Sequence, residues 1–195
     1  MELVYPPFPA PRMPRPTAEN PSMPLAGREE IFPVVEPGGL VIGQMTRSYA
    51  HSGAGLLHPV IHLHILNRLG QLYLQRRSLE KDLLPGYWDT AVGGHVSYGE
   101  SVREALFREA EEELRFHDFN PIPLDSYVFE GIREKELVHV FACVGDFHPQ
   151  PDGVEVIAGR FWDMQEIEDN LGKSVLTPNF EGEFVRIHKI LESLL

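Results

Sequence analysis

The stretch GGHVSYGESVREALFREAEEELRF, at residues 93 to 116, constrains this chain more than any other part of it. A glycine-rich turn leads into a helix, because Ser101 and Glu104 have the spacing of a capping box and predict a helix that begins at Val102. The last two turns of that helix carry four carboxylates, Glu109, Glu111, Glu112 and Glu113. Like charges three or four residues apart repel one another, so we expect a cation that offsets the repulsion.

The helical wheel places two of these carboxylates at the border of the apolar face. At about 100° per residue, that face consists of Val102, Leu106, Phe107, Ala110 and Leu114. Glu109 and Glu113 fall within about 20° of Val102, with Glu112 one turn along, whereas Arg108 points away. A carboxylate at such a border loses water unless a cation compensates it, and oxygen ligands at this spacing suit Mg²⁺ or Mn²⁺. The alternative interpretation is an ordinary charged surface helix.

The same stretch resembles the Nudix box, GX5EX7REUXEEXGU, in which U is an aliphatic residue. The residues that match in register are Gly94, Glu100, Arg108, Glu109, Ala110, Glu112 and Glu113. Two positions depart, because Arg115 stands in place of the late glycine and Phe116 in place of the aliphatic residue. The resemblance implies an α/β fold of the Nudix type, an α/β/α sandwich with a mixed β-sheet. It further implies a metal site of Glu109, Glu112, Glu113 and the Gly94 carbonyl, with Glu100 paired to Arg108.

Most of residues 31 to 163 is also similar to the type I isopentenyl-diphosphate isomerases, a branch with the Nudix fold. The similarity lies in YAHSGAGLLH, in LYLQRRSLEKDLLPGYWDTAVGGHVSYGES and in REKELVHVFACV. Those enzymes hold a second metal with three histidines and two glutamates, and the matching residues here are His51, His58, His95, Glu134 and Glu136. Imidazole with carboxylate suits a transition metal such as Mn²⁺, Fe²⁺ or Zn²⁺. Each histidine taken alone favours a hydrogen-bonded structural residue over a metal ligand, whereas the five residues together make the two interpretations comparable. His62 and His64 are predicted to face solvent or another element.

Three further residues bear on the reaction. Arg77 and Lys81 match positions where the isomerases bind their diphosphate, although two solvated cations beside a loop would look the same. The isomerases carry a cysteine directly before the Gly-His pair, and Gly93 stands there in this chain. Glycine has no side chain with which to move a proton, and Cys143 lies in a predicted hydrophobic strand elsewhere. The substitution favours hydrolysis over isomerisation.

These patterns leave three functions open. The leading prediction is a metal-dependent diphosphate (pyrophosphate) hydrolase that acts on a small-molecule substrate, with Mg²⁺ or Mn²⁺ bound to the box glutamates. Its general base is predicted to be Glu112 or Glu113, and otherwise Glu136. The alternatives are an isomerase-like enzyme and a non-catalytic ligand-binding protein with the same fold.

Charge and composition exclude several classes of partner. The net charge of −12 at pH 7 opposes binding to nucleic-acid polymers or to an anionic membrane surface. Cys143 is the only cysteine, which excludes an intrachain disulfide, and no apolar run is long enough to span a bilayer. We therefore expect a cytoplasmic protein.

The organisation of the chain follows from its prolines and its hydrophobic pattern. Eight of the 17 prolines lie within residues 1–24, which predicts a Pro-rich arm over residues 1–28 and a Nudix domain over residues 29–195. The pattern predicts an N-terminal hairpin (31–36 and 40–46), a second hairpin (59–67 and 71–77) and strands at 126–130, 137–144 and 156–162. Helices are predicted at 102–114, at about 164–171 and at 178–194. The arm and the N-terminal hairpin could cover a partner's sheet edge, so a homodimer is one arrangement left open.

Overall fold

A two-stranded hairpin precedes a seven-stranded sheet in the computed structural model, which describes residues 29–81 and 83–195. The predicted Pro-rich arm over residues 1–28 lies outside the described residues. The strands are β1 (Ile31–Val35), β2 (Val41–Thr46), β3 (Leu57–Leu66), β4 (Leu72–Arg77), β5 (Trp88–Asp89), β6 (Val92–His95), β7 (Ile122–Glu130), β8 (Lys135–Val144) and β9 (Val156–Trp162). The helices are α1 (Arg47–Ala50), α2 (Val102–Leu114), α3 (Met164–Asn170) and α4 (Pro178–Glu192). None of these helices has the length and apolar character that crossing a bilayer requires.

The large sheet is mixed, as predicted. Its strands follow the order β5-β4-β3-β8-β7, with β6 paired to β3 and β9 paired to β4. β3 and β8 run parallel over their whole length, from Leu57 beside Lys135 to Leu66 beside Val144, whereas β4, β6 and β7 pair antiparallel. The predicted α/β class and N-terminal hairpin are confirmed. Three elements that the sequence did not reveal, α1, β5 and β6, have only two to four residues, too few to show a period.

The central strand β3 is covered on both faces. Successive side chains of a strand point to opposite sides, so Ile61, Leu63 and Ile65 pack with α2, as the alternation predicted. Val60 lies on the other side, in a core that contains Phe180 of α4. All ten residues of β3 are buried. The helices on the two sides complete the α/β/α layers.

Helix α2 has the limits that its capping signals predicted. The Ser101 hydroxyl accepts from the Glu104 N–H at 3.2 Å, and the Glu104 carboxylate accepts from the Ser101 N–H at 2.9 Å. At the other end, Arg115 adopts the left-handed conformation with φ 50°. The Phe116 N–H then donates to the Ala110 carbonyl at 3.1 Å, which ends the helix. An arginine thus makes the turn for which the Nudix box has a glycine.

Candidate active site

The first half of the site is the contact between Gly94 and Glu109. Gly94 lies on β6 beside Ile61 of β3, and Glu109 faces it from the middle of α2. A Cβ at residue 94 would overlap the Glu109 carboxyl group. Only glycine therefore allows α2 to bring this carboxylate against the backbone of β6. The position of Gly94 in the motif has a steric cause.

Arg108 ties the loop before α2 to the glutamates. Its Nε and Nη2 atoms donate to the two carboxylate oxygens of Glu100 at 2.8 and 2.9 Å, the pairing that the resemblance implied. Nη2 also donates to the His95 carbonyl at 2.9 Å. Nη1 donates to Glu109 at 2.8 Å and to Glu112 at 3.0 Å. The wheel prediction that Arg108 points away was wrong for its guanidinium, because the long side chain folds back over the loop.

Burial raises the pKa of the two carboxyl groups at the border of the apolar face, Glu109 and Glu113. Glu113 is 8% exposed and accepts hydrogen bonds from the Gln75 amide at 3.2 Å and the Gly93 N–H at 3.3 Å. Burial, together with the neighbouring Glu109, raises the pKa of Glu113 well above its ordinary value. Burial also raises the pKa of Glu109 to about 7, although Arg108 opposes the shift. Two carboxyl groups that resist ionisation indicate a local deficit of positive charge.

Glu112 does not converge with these two carboxylates as predicted. Its side chain is 59% exposed, and Arg108 lies between it and Glu109. Within residues 29–81 and 83–195, the carboxylate oxygens of Glu109, Glu112 and Glu113 do not form a set within 4.8 Å of one another. The Glu112 side chain lies toward solvent, where Nη1 of Arg108 holds it, whereas Glu113 is buried against Gln75 and the Gly93 N–H. A divalent ion would compete with Arg108 for Glu109 and Glu112.

The second half of the site is a group that we call the His/Glu cluster: His51, His58, His95, Glu134 and Glu136. Ligand nitrogens of the three histidines lie within 4.8 Å of one another, and so do ligand atoms of His95, Glu134 and Glu136. His51 Nε2 lies 3.2 Å from His95 Nε2 and 3.3 Å from a carboxylate oxygen of Glu134. Residues from four parts of the chain, the end of α1, β3, β6 and the start of β8, thus meet at one place.

His58 shows best that this cluster fits a metal. Its Nδ1 lies 3.2 Å from the Leu56 carbonyl, which favours the tautomer with the proton on Nδ1. Its Nε2 is buried without a hydrogen-bond partner in the described part of the chain. Burial lowers the pKa of His51 and His58 and lowers that of His95 well below its ordinary value. Neutral imidazoles are the form that binds metal ions, so the donor set suits Mn²⁺, Fe²⁺ or Zn²⁺.

Phe32 of the N-terminal hairpin forms one wall of the His/Glu cluster. Its ring stacks on His95 with centroids 4.3 Å apart and planes 1° apart, and on His58 at 5.6 Å and 14°. The side chain is 1% exposed. Sequence reasoning treated the hairpin only as an addition to the fold and missed this residue. The alternation in IFPVV, which puts Phe32 and Val34 on one face, was the available signal.

The two predicted phosphate-binding cations are each paired with a carboxylate. Arg77 donates from Nη1 to Asp89 at 3.3 Å, and Lys81 forms an ion pair with Glu155. Their side chains are 26% and 29% exposed. Lys81 is also near enough to Glu113 to offset part of the effect of burial on its pKa. Lys81 is therefore close to the box glutamates, and a phosphate would have to compete with Asp89 for Arg77 and with Glu155 for Lys81.

Gly93 and Cys143 lie in different strands, β6 and β8. Cys143 is 1% exposed within the core of β8, and burial raises the pKa of its thiol to about 12, so it does not exchange protons near neutral pH. Gly93 lies on β6 beside His62 of β3. A Cβ at residue 93 would lie 3.5 Å from the ring of His62 and 3.6 Å from Thr90, which are ordinary contacts. The backbone at residue 93 would therefore accept a methyl group without displacing His62 or Thr90.

His62 and His64 face a buried carboxylate that sequence reasoning missed. Glu183 of α4 is fully buried and accepts from His62 Nδ1 at 2.9 Å, His64 Nε2 at 2.6 Å and the Tyr127 hydroxyl at 2.7 Å. A signal was present in the sequence, because Glu183 lies within the apolar stripe of α4, next to Phe184. A carboxylate in such a stripe predicts a buried cationic partner.

Comparisons with known proteins give the family and the fold that this chain resembles. Residues 56–180 match the family described as NUDIX domain. The chain is 31% identical over 155 residues to isopentenyl-diphosphate Delta-isomerase 1 of Photorhabdus laumondii, covering 75% of this chain and 88% of that protein. It is 40% identical over 93 residues to an uncharacterized Nudix hydrolase of Nostoc, covering 48% of this chain and 54% of that protein. The crystal structure of DR0079 from Deinococcus radiodurans has a TM-score of 0.70 at 25% identity and covers 80% of this chain and 98% of its own.

Proposed function

The chain belongs to the NUDIX domain family, and from that premise we propose that it is a divalent-metal-dependent hydrolase of a small molecule with a diphosphate linkage. The observation that carries this proposal is the pair Glu109 and Glu113, held partly dry against the Gly93–Gly94 backbone. Carboxylates beside a backbone carbonyl are the donor set that Mg²⁺ and Mn²⁺ prefer. The raised pKa of both carboxyl groups supports a cation at this place.

The residues that would hold the divalent ions are Glu109, Glu112, Glu113 and the carbonyl of Gly94. When bound, such ions neutralise a diphosphate and lower the pKa of a water molecule that attacks phosphorus. Arg108 and Glu100 hold the end of β6 and the loop that follows it, since Arg108 donates to the His95 carbonyl and Glu100 accepts from the Ser97 N–H.

The chain's own side chains would bind phosphate and accept the proton. Arg77 and Lys81 would exchange their carboxylate partners for phosphate oxygens and so stabilise charge in the transition state. We assign proton acceptance to a carboxylate oxygen of Glu112, because this side chain reaches water and can pass the proton on. Glu113, and Glu136 after it, are the other candidates for this role.

Activity on a panel of diphosphates, each tested with Mg²⁺, with Mn²⁺ and with EDTA, tests the proposal. The panel includes nucleotide sugars, coenzyme A, oxidised nucleotides, ADP ribose and Ap4A. The last two are chosen because structures with this fold include a NUDIX domain complexed with ADP ribose (14% identity) and an Ap4A hydrolase (19% identity). We expect phosphate-bearing products only when metal is present. Absence of products from the whole panel would contradict hydrolysis, and tight binding without turnover would favour a ligand-binding protein.

A pair of variants on α2 tests the role of Glu112. Glu112→Gln is expected to lower kcat by about 10²-fold or more, since the general base is lost, while its 59% exposed position leaves folding intact. Glu111→Gln is the matched control, because Glu111 is 55% exposed and pairs with His117 outside the site. Equal turnover in the two variants would exclude Glu112 as the base.

An isomerase-like activity is the second candidate, and the assembled His/Glu cluster is the observation that favours it. Gly93 and the buried Cys143 oppose it, since neither supplies a proton donor at position 93. Incubation with isopentenyl diphosphate and Mn²⁺ distinguishes the two activities. Conversion to the isomeric diphosphate without release of phosphate would replace the hydrolase proposal.

A further inference from the structure

We propose that His62 is a further substrate-binding residue of this site, held by Glu183 so that its Nε2–H faces the space beside Gly93 and donates to an anionic oxygen of the ligand. This inference rests on the proposed function, because it assumes that the site takes a diphosphate. It adds a contact from the face of the sheet that α4 covers.

Glu183 fixes the orientation of the His62 ring. Its carboxylate is fully buried and accepts three hydrogen bonds, one each from His62, His64 and Tyr127. Burial alone would raise the pKa of Glu183, but the two histidines hold it well below its ordinary value. The carboxylate is therefore charged, and the hydrogen bond from Nδ1 leaves Nε2 of His62 pointing away from α4.

The Nε2 atom of His62 has a free side. Within residues 29–81 and 83–195 it makes no hydrogen bond. It is not fully buried, and 10% of the His62 side chain is exposed. It lies 3.7 Å from the point where a Cβ of residue 93 would be. Because Gly93 has no side chain, nothing from residue 93 covers Nε2, and a ligand that approaches on that side can accept from it.

The charges around His62 make it a cation rather than a neutral donor. Burial alone would lower the pKa of His62, but the Glu183 carboxylate outweighs that effect and raises it to about 9, with Glu136 and Asp89 acting in the same direction. Asp89 is itself bound by Arg77, one of the proposed phosphate-binding cations, and Glu136 belongs to the His/Glu cluster. His62 is therefore within electrostatic range of two parts of the site that are expected to handle phosphate and metal. A charged N–H donor is a strong partner for an oxyanion.

Binding of methylenediphosphonate, a diphosphate that water does not cleave, tests the inference without any need for turnover. In calorimetry with Mg²⁺ at pH 7.5, His62→Gln is expected to weaken binding by about tenfold or more, the effect of losing one charge-assisted hydrogen bond. His64→Gln is the matched control, because it removes a neighbouring partner of the same Glu183 whose Nε2 is already bonded. We expect its affinity to stay within about twofold of the wild type.

Two further measurements keep the test decisive if the buried variants do not fold. In ¹⁵N NMR of histidine-labelled wild type, both ring nitrogens of His62 should carry protons at pH 7.5, and the Nε2 signal should move when methylenediphosphonate is added. Gly93→Ala, which places a methyl group in ordinary contact with His62, should weaken binding while leaving that protonation unchanged. An unmoved Nε2 signal at saturation, or equal losses in His62→Gln and His64→Gln, would overturn the role of His62. Those results would leave the hydrolase proposal intact. A protein that binds methylenediphosphonate through His62 but cleaves no diphosphate of the panel would instead refute the hydrolase proposal alone.

Discussion

Replacing Glu109 by glutamine is expected to stabilise the metal-free protein at neutral and alkaline pH. The Glu109 side chain is 15% exposed, and burial raises its pKa from 4.5 to about 7. A carboxyl group whose pKa is higher in the folded than in the unfolded chain destabilises the folded state wherever it must ionise. Glutamine keeps the shape of the side chain and removes the charge. The attraction of Arg108 is already included, because it lowers the same pKa.

The size of the effect follows from the two pKa values. At about 1.4 kcal/mol per pH unit, the difference between 4.5 and about 7 corresponds to roughly 3 kcal/mol. The stability of the wild type is unaffected by this group below pH 4.5, falls as the pH rises from 4.5 to about 7, and is then constant. Glu109→Gln should therefore raise the free energy of unfolding by roughly 3 kcal/mol at pH 8 and by about 1 kcal/mol at pH 5.

Urea unfolding in EDTA at both pH values measures this difference. Glu111→Gln, on the exposed side of the same helix, should change the free energy of unfolding by less than about 0.5 kcal/mol. With Mg²⁺ at about 100 times its Kd, the wild type should gain roughly 3 kcal/mol and Glu109→Gln much less. A variant that is less stable than the wild type at pH 8 in EDTA would refute the reasoning about burial. An equal gain from Mg²⁺ would refute the metal site.

Three other substitutions test separate parts of the structure. Arg115→Gly should raise the free energy of unfolding in urea by about 1 kcal/mol, because glycine adopts the left-handed conformation at φ 50° without strain; a decrease would show that Arg115 makes contacts worth more than the strain. Phe32→Ala should lower the free energy of unfolding by about 3 kcal/mol and weaken Mn²⁺ binding about tenfold in calorimetry, since the ring stacks on His95. Unchanged Mn²⁺ affinity would show that Phe32 does not support the His/Glu cluster. Gly94→Ala should abolish metal-dependent turnover with cooperative unfolding retained, because the methyl group displaces the Glu109 carboxyl; full activity would contradict the proposed metal site.

The parts of the site that were predictable are those with local signals. The capping box of Ser101 fixes where α2 begins, and the Nudix-box spacing predicts the pairing of Arg108 with Glu100. The direction of a long side chain is not a local property, and the wheel therefore misplaced the Arg108 guanidinium. The prediction that Glu112 converges with Glu109 and Glu113 was wrong for the same reason. The wheel takes no account of the Arg108 guanidinium, which lies between Glu109 and Glu112.

Some residues of the site belong to no motif, and only the packing of segments distant in sequence shows their place in it. Phe32 reaches His95 because the hairpin lies over the end of β3, and Glu183 reaches His62 across 121 positions of sequence. A single polar residue in an apolar stripe predicts that a partner exists but does not identify it. Only the stacking of α4 on the sheet identifies His62 and His64 as that partner.

The sequence by itself determined the family, the class of fold, the limits of α2 and the residue types in both halves of the candidate site. These follow from the capping residues, the period of apolar side chains and the motif spacing, which act within a few turns of chain. Tertiary structure decided which carboxylates lose their water, which histidine nitrogens stay free and what closes the His/Glu cluster. Those properties depend on burial and on distances between segments far apart in sequence, and a pattern of neighbours along the chain contains neither.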